Sequence, residues 1–72
     1  MNWRRGEPGP GGEWYIDSDC GQFRVAKVYV PVQGVITPVF EAWDIRTRPH
    51  RGIGIYPESA QAKARCEVEA AA

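Results

Sequence analysis

Hydrophobic and polar positions change period along this chain, from two to about three and a half. In Phe23 to Val30 the residues alternate, so Phe23, Val25 and Tyr29 fall on one side of an extended strand and Arg24, Ala26 and Val28 on the other. Upstream, Trp14 to Ile16 is a short β-prone run, joined to that strand by the turn chemistry of Asp17-Ser18-Asp19-Cys20-Gly21, and the two runs predict a hairpin. Pro31, Gly34 and Pro38 predict a connecting loop. Val39 to Ile45 then reads as a third strand, with Val39 and Trp43 on one face and Phe40 and Ala42 on the other. After the polar, basic loop Arg46 to Gly52, the run Ile53-Gly54-Ile55-Tyr56 predicts a short fourth strand, which Pro57 ends with its fixed φ.

The helical period begins beyond Pro57. Glu58 to Ala71 holds strong helix formers with no Gly or Pro, and either Glu58 or Ser59 is placed to cap it. Ser59, Ala62, Cys66 and Ala70 share one stripe, narrow enough to dock closely on a sheet, while Gln61, Arg65 and Glu69 face water. Ala60, Ala64, Val68 and Ala71 form a second apolar strip, explained by alanine's helix propensity or by a partner contact. The prediction is an α+β domain: a three- or four-stranded antiparallel meander with one C-terminal helix packed on one face. Residues 1–12, with the breakers Gly6-Glu7-Pro8-Gly9-Pro10-Gly11-Gly12, are predicted as a flexible N-terminal segment, leaving 13–72 as a single ββ(β)βα domain.

Length and charge narrow the function more than they define it. Seventy-two residues allow one small domain, which buries only about 60% of the surface its unfolded chain exposes, so oligomerisation is an expected supplement. Nine Lys and Arg balance nine Asp and Glu, so no global positive field draws the chain to polyanions. Cys20 and Cys66 are too few for a disulfide scaffold, and with the single His50 they supply no set of metal ligands. No metal and no cofactor is expected. The opening residues lack the apolar stretch of a signal peptide and no run approaches a membrane span, which predicts a cytoplasmic chain with no membrane partner.

Catalysis is not expected either. Cys66 falls mid-helix on the docking stripe, and Cys20 lies beside Asp17 and Asp19, whose charges are expected to suppress a thiolate. The carboxylate pairs Asp17/Asp19 and Glu67/Glu69 read as solvated side chains, and the glycines at 52 and 54 do not follow the strand-to-helix geometry of a phosphate cradle. One helix covers one face of a sheet, whereas the three Trp, three Tyr and two Phe are spread over both. An exposed apolar patch is therefore expected, for a partner or for a homodimer. Tyr29, Phe40 and Trp43 are its expected anchors, with Arg46, Arg48 and Arg51 as a polar rim, joined by His50 and by Arg4 and Arg5. An ordinary solvated loop is the plain alternative for those arginines.

Two resemblances bear on the class of partner. Gly54-Ile55-Tyr56, followed by Ala62, Cys66 and Ala70 after antiparallel strands, resembles the end of the AP2-type DNA-binding domain over roughly the last third of the chain. That resemblance implies a sheet whose exposed Arg and Trp side chains read the major groove. Here Arg24 and Lys27 fall on opposite faces of their strand, and the family's basic first strand has no counterpart. The whole pattern, Phe23 to Val28, Phe40-Glu41-Ala42-Trp43, Gly54-Ile55-Tyr56 and the helix around Ala62 to Glu67, is similar in size and architecture to small proteins encoded by bacteriophages and mobile elements, anti-CRISPR proteins among them. This implies a non-enzymatic inhibitor in the bacterial host cytoplasm that occupies a surface of a host defence or regulatory complex, protein or nucleoprotein. A small AP2-like nucleic-acid-binding domain is the alternative, and a structural subunit ordered only as an oligomer is a third.

Overall fold

A computed structural model describes residues 1–6 and 14–71 of the chain. Among them the order is β1 (Trp3–Arg5), β2 (Trp14–Ser18), β3 (Phe23–Val32), β4 (Val35–Asp44), β5 (Arg51–Tyr56) and α1 (Ser59–Ala71). The strands form one antiparallel sheet in the order β1-β2-β3-β4-β5, each beside its neighbour in sequence. The α+β meander with one C-terminal helix is as expected, but the strands number five rather than three or four.

The added strand comes from the segment expected to be flexible. Trp3 packs against the core, the amide of Asp19 donates to the carbonyl of Asn2 (2.8 Å), and the amide of Gly6 donates to that of Tyr15 (2.8 Å). One half-buried indole and these bonds hold three residues on β2 despite their weak strand propensity. The rest of the segment, 7–12, lies outside the described residues.

The second correction concerns Pro31 to Pro38, which form no loop. Gln33 and Gly34 both have positive φ, 51° and 80°, the pattern of a type I′ two-residue turn, so β3 and β4 make one ribbon of ten residue pairs from Phe23↔Asp44 to Val32↔Val35. With such a turn Val32↔Val35 is a hydrogen-bonded pair, and alternation puts Pro31↔Ile36 and Tyr29↔Pro38 at positions without ladder bonds. The missing N–H of each proline therefore points outward. There the ribbon has run past the described strands, since β2 begins at Trp14 opposite Lys27 and β5 ends at Tyr56 opposite Phe40. Both prolines lie where no described strand pairs with that edge, and there they hinder pairing with another strand.

Helix α1 starts at an N-cap Glu58, whose carbonyl accepts from the amides of Gln61 and Ala62, while Gln61 Oε1 accepts from the Glu58 amide (3.3 Å). It lays Ala62 and Cys66 on Phe23, Val25 and Ala42, and these five residues are the buried core. Small side chains on the helix let it approach closely, and burying Phe23 and Val25 contributes about 1.5–3 kcal/mol each. A bulge between Ala42 and Trp43 leaves Ile53 without a partner on β4 and lets it pack against the core. The exposed strip Ala60, Ala64, Val68 and Ala71 faces away from the sheet.

Candidate interaction surface

Register assigns the predicted anchors to faces. Lys27 pairs with Phe40 and Tyr29 with Pro38, so Tyr29, Phe40, Trp14 and Ile36 share the helix side of the sheet, beyond the helix start. Trp43 pairs with Arg24 and sits on the opposite, open face, where its ring lies over Gly52. Tyr29 and Phe40 thus belong to one surface and Trp43 to another.

On the helix side, Trp14 and Phe40 stack with ring centroids 5.8 Å apart, tilted at 54°. Lys27 Nζ lies 5.5 Å from the Tyr29 ring and 6.0 Å from that of Trp14, so one ammonium bridges two aromatic faces. Outward from this cluster the ribbon carries no charged residue from Val28 to Phe40. Tyr29 is 52% exposed, Ile36 65% and Val35 64%, although each is a residue type that gains from burial. The arrangement offers aromatic edges, one cation and a projecting apolar ribbon.

The arginines occupy the other end of the sheet, where most are already paired. Asp44 is buried, its side chain only 4% exposed. Its Oδ1 accepts from the amide and Nε of Arg46 (both 3.0 Å), and its Oδ2 from Nη2 of Arg46 (2.8 Å) and of Arg51 (3.4 Å). The Arg46 side chain forms a bidentate fork and also lies 4.9 Å from the Phe23 ring centroid. Bonded chiefly by Arg46, the Asp44 carboxyl stays far below the usual carboxylate range despite the opposing cost of burial. Arg51 reaches on to Glu69 (3.3 Å), which Arg65 also holds (3.0 Å), so the β4–β5 loop is tied to the last turns of α1. Arg48 makes no ion pair among the described residues and is exposed, as is His50.

Cys20 differs from expectation. Ser18 Oγ accepts from the amides of Gln22 (3.2 Å) and Phe23 (3.1 Å), leaving its proton free for Cys20 Sγ at 3.2 Å. That hydroxyl, then the Gln22 amide, lowers the Cys20 pKa and outweighs the opposing charge of Asp19. Cys66 is held as a thiol, pushed up to about 11 by burial and then by the nearby carboxylates of Asp44, Glu67 and Glu69.

Among the described residues no group of His, Cys, Asp and Glu is arranged to hold a metal ion, and no helix is long and apolar enough to cross a membrane. No protein-family model, curated protein or solved structure matches the chain. The residues that sequence reasoning missed are Trp14, Lys27 and Ile36. Their signal was the uncharged β-branched run on both sides of Gln33-Gly34, which also fits a ribbon closed by a two-residue turn.

Proposed function

We propose that this chain is a non-enzymatic binding protein of the phage or mobile-element type, inhibiting a host defence or regulatory complex by occupying one of its protein surfaces. Its contact surface is the helix side of the ribbon: Tyr29, Ile36 and Phe40, with Trp14 and Lys27 at the root. The observation that carries this reading is the exposure of Tyr29 and Ile36 on a projecting segment without charge. Aromatic anchors beside a single cation are typical of residues that dominate protein interfaces, and apolar side chains hold no phosphate. Arg46 and Arg51 serve the fold, leaving Arg48 as the rim residue without a partner of its own among the described residues.

The test is affinity capture from nuclease-treated bacterial lysate with the wild-type chain, the Tyr29→Asp/Ile36→Asp double variant and Arg48→Glu. A discrete protein complex is expected on the wild type and on Arg48→Glu, and not on the double variant. Equal capture by the double variant removes this surface from consideration. Recovery of nucleic acid alone before nuclease, lost steeply as salt rises, replaces the reading with the AP2-like alternative.

A further inference from the structure

The open face of the sheet, opposite α1, carries a second surface independent of the one above. Three consecutive cross-strand pairs, Val28↔Val39, Val30↔Thr37 and Val32↔Val35, make an uncharged β-branched strip along the ribbon. Arg24 and Trp43 continue it toward the base. Arg24 is charge-neutralised within the chain, bonding Asp17 through Nε (2.7 Å) and Nη2 (3.1 Å) and lying 4.2 Å from the Tyr15 ring centroid. Glu41, one row nearer the strip, has no ion-pair partner among the described residues.

We infer that this face binds a second copy of the chain, forming a two-fold dimer with the sheets face to face. A two-fold axis running along the ribbon between β3 and β4 lays β3 of one copy on β4 of the other. Val28 then meets Val39 of the second copy, Val30 meets Thr37 and Val32 meets Val35, so the strip is complementary to itself in shape and in lacking charge. Two rows beyond Val28, past Ala26 and Glu41, Arg24 meets the Trp43 ring of the second copy, as guanidinium groups favour. Glu41 falls diagonal to that copy's Arg24, whose Nη1 Asp17 leaves unused.

Size sets a bound as well: the molecule's extents are 37 × 24 × 23 Å, so even its broadest outline only slightly exceeds the roughly 800 Å² per partner of a standard interface, and the dimer has to use the open face beyond the valine strip, from Val35 to Trp43. The chain also has reason to associate, because among the described residues the large side chains that are fully buried are Phe23, Val25 and Cys66, and domains with so small a core gain stability from oligomerisation. A lipid surface fits less well, since past Trp14 and Tyr56 the ribbon's outer edges lack ladder partners among the described strands, which hydrocarbon does not tolerate.

Sedimentation equilibrium over a rising concentration series tests the dimer, with circular dichroism on every variant to confirm folding. The wild type is expected to reach twice the 8.0 kDa chain mass, Val39→Asp to stay at one chain mass, and Ile36→Asp, on the helix side, to dimerise as the wild type does. Should Val39→Asp fail to fold, Glu41→Arg decides: like charges then face each other across the interface, and the dissociation constant rises about tenfold. A wild type that stays monomeric, a folded Val39→Asp that still dimerises, or an unchanged constant in Glu41→Arg overturns the proposal. Loss of the dimer in Ile36→Asp overturns it too, by moving self-association to the helix side. Because Ile36→Asp should lose the captured partner yet keep the dimer, failure of one surface is distinguishable from failure of the other.

Discussion

The two ends of the β3–β4 ribbon are built on opposite principles. At the Phe23↔Asp44 end the core side chains are buried, the buried Asp44 carboxylate is saturated by guanidinium groups, and the loop is tied to α1. At the Val32↔Val35 end nothing in the described structure covers the side chains, and a backbone turn alone sets the register. The comparison teaches that the contacts that stabilise the fold and the apolar side chains left uncovered are spatially separated here. The charged residues that resemble a binding loop hold the fold together, and the apolar residues that resemble a core are the ones available to a partner.

The largest effect belongs to the charged end. Asp44→Ala strips the buried acceptor from Arg46 and Arg51 and is expected to cost about 3 kcal/mol, the low end for a broken buried pair because both arginines remain in contact with water. Urea unfolding monitored by tryptophan fluorescence reads it directly. Because the folded carboxyl titrates below its unfolded value of about 3.9, its stabilisation is complete above that pH and is lost as pH falls through and below it. The wild-type urea midpoint should therefore hold from neutrality down to about pH 5 and drop below about pH 4, while the Asp44→Ala midpoint falls less over the same range. An acid dependence unchanged in the variant would move the source of acid sensitivity elsewhere.

The turn gives an intermediate effect. Gly34 has φ of 80° and no atom within 4 Å of where a Cβ would stand, so Gly34→Ala meets a conformational cost without a clash. That cost is about 1 kcal/mol in the same denaturation experiment. Gln33→Asn, which supplies the Asn-Gly pair favoured in type I′ turns, should shift stability the other way. If Gly34→Ala is silent, the tip does not set the register of the ribbon.

Much of the fold is legible in the chain because periodicity reports burial. The alternation from Phe23 singles out Phe23 and Val25, and the helical stripe singles out Ala62 and Cys66, four of the five core residues. The missing parts depend on contacts distant in sequence. Trp3-Arg4-Arg5 carries no strand signal of its own, and Pro31 and Pro38 look like breakers until the register shows their missing N–H groups pointing away from each other's strand, off edges that no described strand pairs. Reading an eight-residue loop in place of a two-residue turn also hides the partnership of Lys27 with Phe40, and with it the face that Tyr29 and Phe40 share. Asp44 gives no local sign of its role, because its partners gather only when the loop, the sheet end and the helix end meet.

The smallest effect is the sharpest test of the contrast between the ends. Ile36 is 65% exposed and unpaired by any charge, so Ile36→Asp removes little buried area and places a carboxylate in water. It should change unfolding free energy by no more than about 0.5 kcal/mol, the usual range for surface substitutions, while abolishing capture of the partner. The asymmetry follows from solvent being its main neighbour in the free chain and an apolar surface its neighbour in the complex. A carboxylate there costs little in the first state, and left ionised and unpaired against an apolar surface in the second it costs more than the roughly 2–7 kcal/mol of an unbonded neutral polar group. A variant that binds normally but unfolds easily would invert the comparison, making the ribbon part of the stabilising structure and the charged end the surface to examine for a partner.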